Sequence, residues 1–129
     1  MKNIQKTLQN ALAVTCFTAA GLLASCAKTP TQDAHTVIVL LEAKQGKEKE
    51  LNDALVAVIE PSRSESASIE YRLHQSKDNP AEFALYENWK SASEHAKQFE
   101  KPYIKQLGAQ LGDLLAKPYV VFMGHEIRE

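Results

Sequence analysis

The hydrophobic positions of the chain alternate between strand-like and helix-like spacing. Thr36–Leu41 is a short, continuous apolar run rich in β-branched residues, which predicts a strand buried on both of its faces. From Lys47 the apolar residues return every three or four positions, which predicts an amphipathic helix that ends at Pro61. The small and polar residues of Ser62–Ala67 then predict a loop.

The clearest two-residue alternation lies in the middle of the chain. Ile69, Tyr71 and Leu73 alternate with polar residues, and Phe83–Trp89 alternates in the same way. The segment Ser76–Pro80, which separates the two runs, has the composition of a turn. We therefore expect a β-hairpin whose two strands each turn one face toward the core.

A second helical segment and a last strand follow the hairpin. Ser91 is placed to cap the helix, with Glu94 three residues later as in a capping box. Pro102 interrupts the helical pattern, which predicts a break and a second helical piece that begins there. Pro118 ends that piece, and Tyr119–Met123 predicts a strand. The apolar stripe expected to face the core consists of Ala92, Ala96, Phe99, Tyr103, Leu107, Leu111 and Leu114.

The element order β-α-β-β-α-β predicts an α+β, ferredoxin-like fold. In this fold two helices cover one face of a four-stranded antiparallel sheet, and the other face stays open. Because a core of this size is marginal by itself, we expect a second copy of the chain to close the open face in a symmetric homodimer.

Composition narrows the class of protein further. The 129 residues have a net charge of -1 with dispersed basic residues, so we expect one domain and no nucleic acid partner. The hydrophobic fraction of 44% and charged fraction of 24% exclude a disordered chain and a polytopic membrane protein. The 4 histidines lack metal-ligand spacing and no phosphate-binding loop is present in the sequence, so we expect neither a metal nor a cofactor.

The N-terminal segment has the pattern of a secretory signal. Lys2 and Lys6 precede the apolar run Ala11–Leu23, which is shorter than the ~20 residues that span a bilayer. The run leads into Leu23-Ala24-Ser25-Cys26, which resembles the lipobox of bacterial lipoproteins. That resemblance implies that Cys26 becomes the first residue and carries the lipid anchor. The alternative is an ordinary secreted protein in which Cys26 follows the cleavage site.

The lipobox divides the chain into three parts. Residues 1–25 are the expected signal peptide, residues 26–34 the lipidated cysteine with a polar tether, and residues 35–129 the folded domain. Several acyl chains hold a protein stably at a membrane. Because Ala27 is not acidic, the resemblance to lipoprotein sorting implies the outer membrane, facing the periplasm, if the cell is Gram-negative.

Four segments of the domain carry a family resemblance: Gly46–Leu51, Glu60–Glu65, Tyr71–Trp89 and Lys101–Leu107. Together they resemble the antibiotic biosynthesis monooxygenase domain family, and Glu87-x-Trp89 is the most specific motif. The resemblance implies a ferredoxin-like domain that pairs into a dimeric α+β barrel. It also implies oxygenation of a quinol or polyphenol by O₂ without a cofactor. The chain departs from many members at Ser66-Ala67-Ser68, where they have Pro-Gly-Cys, and at Gln98 and Tyr103, where they have His.

Such an oxygenation needs a base and an apolar pocket that holds an aromatic ring. The candidate bases are His74 and His95, because imidazole titrates near neutral pH. The candidate substrate-binding residues are Trp89, Tyr71, Asn88, Phe99 and Tyr103. For the aromatic residues the alternative is ordinary core packing, and for His74 it is a surface position. Glu87 is expected to be a structural residue with Arg72 as an ion-pair partner.

Two other functions are compatible with the same sequence. The first is a small-ligand-binding envelope lipoprotein that performs no chemistry. The second is a scaffolding lipoprotein that recruits another protein, which predicts a filled interior between sheet and helices. A cavity at that place would therefore argue against scaffolding alone.

Overall fold

The computed structural model describes residues 34–127, so the expected signal peptide, Cys26 and almost all of the tether lie outside the described residues. The strands are β1 (His35–Glu42), β2 (Ser68–Gln75), β3 (Glu82–Trp89) and β4 (Val120–Gly124). The helices are α1 (Glu48–Val56), α2 (Ile59–Ser64), α3 (Ala92–Gln98) and α4 (Pro102–Leu114). No helix within residues 34–127 is long and apolar enough to cross a bilayer.

The four strands form one antiparallel sheet in the order β2-β3-β1-β4. β1 and β3 occupy the centre, because each pairs with a strand on both sides, while β4 is an edge strand. This order, with the helices packed on one face, confirms the predicted α+β ferredoxin-like fold of the chain.

The two faces of the sheet differ in what covers them. The inner face carries Val37 and Leu41 of β1, which pack with Leu51 and Leu55 of α1 in the hydrophobic core. The outer face carries the intervening residues of each strand. Its apolar side chains include Leu40, Val120 and Phe122, which are 52%, 59% and 60% exposed.

The structure corrects two predictions in the first half of the chain. β1 is not buried on both faces, because the outer face is uncovered in the single chain and Leu40 is exposed there. Pro61 does not end the helical segment: α1 ends before it, and Pro61 lies in the first turn of α2. A proline is tolerated there because the amide hydrogens of a first turn have no partner within the helix. The predicted loop Ser62–Ala67 is therefore helical up to Ser64.

The predicted helix start and break in the second half are confirmed. The Ser91 Oγ accepts a hydrogen bond from the Glu94 amide at 3.2 Å, so Ser91 caps α3 as expected. Pro102 occupies the first turn of α4, and the chain between the two helices is bent at this point. The predicted apolar stripe holds in α4, where Leu107 and Leu114 are buried.

The apolar stripe is wrong in α3. There the buried side chains are His95 and Gln98, whereas Ala92 and Ala96 are exposed and Phe99, just after the helix, is 52% exposed. His95 and Gln98 are three positions apart and so lie on the same side of the helix. Ser91 caps the start of α3, and the helix turns His95 and Gln98 toward the interior.

Candidate functional site

A cavity of about 400 Å³ lies between the inner face of the sheet and the helices. Val39 and Leu85 form part of its sheet side, and Leu107 and Leu111 of α4 part of its helical side. Phe99, Tyr119 and Met123 also line it and are each about half exposed, so the cavity opens between the α3–α4 junction and the edge of β4. Its volume falls within the range of small-molecule sites.

Polar groups reach this apolar cavity at one end, where β3 meets α3. Glu87 and Trp89 are two positions apart on β3 and share the inner face, and the Trp89 Nε1–H donates to Glu87 Oε2 at 2.9 Å. His95 of α3 brings its Nε2 to 3.6 Å from the same carboxylate oxygen. Glu87 and His95 both line the cavity and are only 4% and 5% exposed.

Burial shifts the proton affinities of this pair in opposite directions. Desolvation raises the pKa of Glu87 to about 7, although the hydrogen bond from Trp89 favours the charged form and opposes the rise. Desolvation lowers the pKa of His95, and the nearby His35 lowers it further. Near neutral pH the site therefore holds a neutral imidazole beside a carboxyl group that exchanges its proton in the same pH range. Such a pair is suited to accepting and returning a proton.

Aromatic rings surround the Glu87–His95 pair. The His95 ring centroid lies 5.6 Å from that of Trp89, 5.2 Å from Phe99 and 5.4 Å from His35. Tyr71 meets Trp89 edge to face, with ring centroids 6.5 Å apart. Burial and the carboxylate of Glu87 raise the pKa of Tyr71, so its hydroxyl stays protonated at neutral pH. These rings pack around His95, which also lines the cavity.

The pH dependence of the free energy of unfolding is expected to differ between the wild type and Glu87→Gln. The folded-state pKa of Glu87, about 7, lies above its ordinary value of 4.5. Between these two pH values the folded protein keeps a proton on Glu87 that the unfolded chain releases. The resulting stabilisation is fully present below pH 4.5 and is lost as the pH rises through about 7. Between these limits we expect the wild type to lose up to about 3 kcal/mol relative to Glu87→Gln.

Urea unfolding of both proteins over this pH range measures the difference. His95 is common to both proteins, and its lowered pKa gives the opposite trend, with stability lost at acidic pH. Comparing the two curves removes this shared contribution. Parallel curves for wild type and variant would show that Glu87 does not retain a proton in the folded state.

The sequence-predicted site residues separate into two groups. Tyr71, His95 and Phe99 line the cavity. Trp89 is fully buried and lies behind Glu87 and His95, so it supports the cavity wall without forming it. Tyr103 lines a separate groove between α1 and α4, and its hydroxyl donates a hydrogen bond to Glu65.

The other two predicted residues lie away from the cavity, because strand residues alternate between faces. His74 is exposed on the outer face, next to Ala84 of β3, so it is not a base of this cavity. Asn88 is buried on the outer face, and its Oδ1 has no hydrogen-bond partner among residues 34–127. It is not placed to orient a ligand in the cavity.

The predicted ion-pair partner of Glu87, Arg72, is wrong. Arg72 lies on the outer face and pairs with Glu70 at 2.6 Å, so it does not reach Glu87. The partners of Glu87 are Trp89 and His95. Gln98 also lines the cavity and was missed by the sequence reasoning, which assigned the buried face of α3 to apolar residues. The polar pair three residues apart on a short capped helix was the available signal.

The described part of the chain contains no cluster of side chains suited to binding a metal ion. Across residues 34–127, no three His, Cys, Asp or Glu side chains converge in a way that would hold a metal ion. The buried polar groups of the cavity are instead one carboxyl, one imidazole, one phenol and one amide, from Glu87, His95, Tyr71 and Gln98, while Lys105 and Tyr119 line its more exposed part.

Similar proteins share this architecture. Rv0793 from Mycobacterium tuberculosis is 27% identical with a TM-score of 0.70, over 74% of this chain and 97% of that one. A proposed antibiotic biosynthesis monooxygenase from Nitrosomonas europaea has a TM-score of 0.71 at 22% identity, over 77% of this chain and 95% of that one. At this identity, the similarity to the Nitrosomonas europaea protein shows a shared fold.

Sequence comparison agrees with the structural likeness. The uncharacterized protein sll1783 from Synechocystis sp. is 31% identical over 78 residues, which is 60% of this chain. The match spans 53% of that relative, about half of its length. The family model described as antibiotic biosynthesis monooxygenase matches residues 34–109, from the start of β1 into α4, and thus includes Glu87, His95 and Gln98. This segment is more than half of the chain, and the protein belongs to the antibiotic biosynthesis monooxygenase family.

Proposed function

We propose that this protein is a cofactor-independent monooxygenase that acts on a quinol or polyphenol-type aromatic as a membrane-anchored lipoprotein. The observation that carries the proposal is the buried Glu87–His95 pair at one end of an apolar cavity. An electron-rich phenol can react with O₂ once it has lost its proton, so the protein must supply a base, hold the ring and exclude water. The cavity also argues against a purely scaffolding role, which requires a filled interior.

In the proposed reaction the His95 imidazole accepts the proton of a substrate hydroxyl. The Glu87 carboxylate, 3.6 Å from Nε2, stabilises the imidazolium that forms. The phenolate passes one electron to O₂, and the two radicals combine to form a C–O bond at a ring carbon that carries hydrogen. The O–O bond then breaks, the ring hydrogen leaves as a proton, and the departing oxygen takes up protons to form water. A dihydroxyarene and O₂ thus give a hydroxyquinone and water.

Oxygen consumption tests this proposal. We expect the full-length protein to increase O₂ uptake with 1,4-dihydroxynaphthalene above the rate of its spontaneous oxidation, with one O₂ consumed per substrate. Added catalase should return no O₂, because the reduced product is water and not peroxide. No increase above the spontaneous rate would leave the non-catalytic ligand-binding function. Return of half the O₂ by catalase would indicate an oxidase.

The outer sheet face supports a homodimer as part of this proposal. Leu40, Val120 and Phe122 form an exposed apolar patch, because β1 and β4 pair in register and place these side chains on the same face. Burying this patch against a second copy would give the dimeric α+β barrel that the family resemblance implies.

Sedimentation is expected to show a dimer for the wild type and a monomer for Phe122→Glu. A glutamate within the patch would have to be desolvated twice in a symmetric interface, which costs several kcal/mol per ion. Lys77→Glu, in the exposed hairpin turn, makes a charge change away from the patch and should remain dimeric. A monomeric wild type, or a Phe122→Glu protein that is still a dimer, would contradict the interface.

Membrane attachment through Cys26 has a direct test. In a bacterial host we expect Cys26→Ser to move from the membrane fraction to the soluble fraction and to lose the mass of its acyl chains, since these chains provide the attachment. Cys16→Ser is the matched control, because Cys16 lies in the apolar run of the signal and should not be lipidated. Membrane attachment of Cys26→Ser at the wild-type level would refute the lipoprotein assignment.

A further inference from the structure

Gln98 is a buried polar residue of the cavity that the proposed proton transfer does not use. It is the last residue of α3, is 2% exposed and lines the cavity. His95 precedes it by three positions, so the two side chains reach the cavity from neighbouring positions on one side of the helix. A ligand that contacts the Glu87–His95 pair therefore lies within the same cavity as the Gln98 amide.

The orientation of the Gln98 amide follows from which neighbouring groups can donate a hydrogen bond. Its Nε2 lies 2.9 Å from the Ser62 Oγ and 3.4 Å from the Tyr103 hydroxyl oxygen. The Tyr103 hydroxyl donates its hydrogen to Glu65 Oε1. A phenol has one hydrogen, so the Tyr103 oxygen can only accept from Gln98. The atom of Gln98 that faces Tyr103 must therefore be the amide nitrogen, and the carbonyl oxygen points elsewhere.

The carbonyl oxygen of Gln98 remains available as an acceptor. Among residues 34–127, Asn88 Oδ1 is the side-chain polar atom that is both fully enclosed by protein and without a hydrogen-bond partner. Gln98 Oε1 does not share this state, so it is not fully enclosed by protein atoms. Both amide hydrogens of Gln98 are already directed to Ser62 and Tyr103. Gln98 is 2% exposed and lines the cavity, so the cavity is the open space next to its side chain.

We propose that Gln98 is a specificity-determining residue whose carbonyl oxygen accepts a hydrogen bond from the second hydroxyl of a dihydroxy-aromatic ligand. This inference rests on the proposed function for the placement of the first hydroxyl at Glu87 and His95. For the quinols and polyphenols of the proposed function, it identifies the protein group that recognises the second hydroxyl. Tyr103 and Glu65 act as positioning residues, because they hold the amide in the orientation that presents its oxygen to the ligand.

The test is an anaerobic binding titration, in which no turnover can occur. Trp89 is the only tryptophan of the chain and contacts His95 and Tyr71, so its fluorescence reports occupancy of the cavity. We expect the full-length protein to bind 1,4-dihydroxynaphthalene about fivefold more tightly than 1-naphthol, which is the scale of one neutral hydrogen bond. Gln98→Leu should remove this preference and leave the affinity for 1-naphthol close to that of the wild type.

Two further variants make the test specific. Tyr103→Phe keeps Gln98 but releases its amide, so the preference should fall while 1-naphthol still binds. This variant carries the test if Gln98→Leu does not fold, as judged by circular dichroism. Gln110→Leu makes the same chemical change in the groove between α1 and α4, outside the cavity, and should keep the full preference.

The inference is overturned if the wild type binds both naphthalenes equally or binds neither, or if the preference survives in folded Gln98→Leu. If Gln98→Leu does not fold, survival of the preference in Tyr103→Phe overturns it. Because O₂ is absent, these outcomes are independent of oxygenation. If the binding preference depends on Gln98 but the separate assay shows no O₂ uptake, the inference is supported and the monooxygenase activity is rejected.

Discussion

His95→Ala is expected to lower kcat for O₂-dependent oxidation of 1,4-dihydroxynaphthalene about 10²- to 10⁴-fold, which is the range for loss of a general base. His95 is the imidazole that the structure places in the cavity and beside a buried carboxyl group. Its removal leaves the apolar walls in place, so KM should change much less than kcat. Initial rates of O₂ uptake, corrected for spontaneous oxidation, give both constants.

Two variants separate a chemical role of His95 from a structural one. Glu87→Gln should lower kcat less than His95→Ala does, and should remove the rise in rate through about pH 7 that ionisation of Glu87 produces in the wild type. His74→Ala, on the exposed outer face, should stay within about twofold of wild type. Equal losses in His74→Ala and His95→Ala would mean that the effect does not arise in the cavity.

Trp89→Ala is expected to destabilise the protein by about 3–5 kcal/mol, the range for removing a large aromatic side chain from a core. Trp89 is fully buried, meets Tyr71 edge to face and donates a hydrogen bond to Glu87. The substitution leaves both a void and a buried carboxyl group without its donor, and each adds to the cost. Urea unfolding followed by circular dichroism measures the loss, since the variant has no tryptophan fluorescence.

Trp89→Phe is the matched control for this prediction. It retains most of the ring volume and loses the indole N–H, so its loss of stability should lie between those of the wild type and Trp89→Ala. Its remaining loss should be larger at high pH, where Glu87 is charged and lacks its donor. A loss below about 1 kcal/mol for Trp89→Ala would contradict the structural role of the indole.

The fold could be predicted from the sequence because its signals are local. The alternation around Tyr71 and along Phe83–Trp89 fixes which strand residues share a face, and Ser91 and Pro102 mark the helix starts. These signals depend on backbone geometry within a few residues. They also place Glu87 and Trp89 together correctly, because the two residues are on one strand with a spacing of two.

The site could be predicted only in part, because it depends on how α3 lies over the sheet. The alternation of β2 already places His74 on the face opposite Tyr71 and Leu73, but no local pattern shows that His95 faces Glu87. The stripe through Ala92, Ala96 and Phe99 favoured the opposite side of α3. A short helix can be rotated by its connections at little cost, and here the buried side is polar. Such disagreement between local pattern and tertiary structure is typical of functional sites.

The pairing of Glu87 also required the tertiary structure. Sequence reasoning assigned it to Arg72, an oppositely charged residue on the neighbouring strand. The register pairs Tyr71, not Arg72, with Glu87, and so directs Arg72 to the outer face. A shift of one residue in register exchanges the two faces of a strand. Two opposite charges on neighbouring strands do not determine that register.

The measurement that tests the central claim most directly is isotope incorporation from ¹⁸O₂ during turnover of 1,4-dihydroxynaphthalene by the full-length protein. Oxygenation at the Glu87–His95 cavity predicts a hydroxyquinone that carries one labelled oxygen, with the second label in water, and a rate that falls with His95→Ala. A product without label, or a labelled product formed as rapidly by His95→Ala, would contradict it.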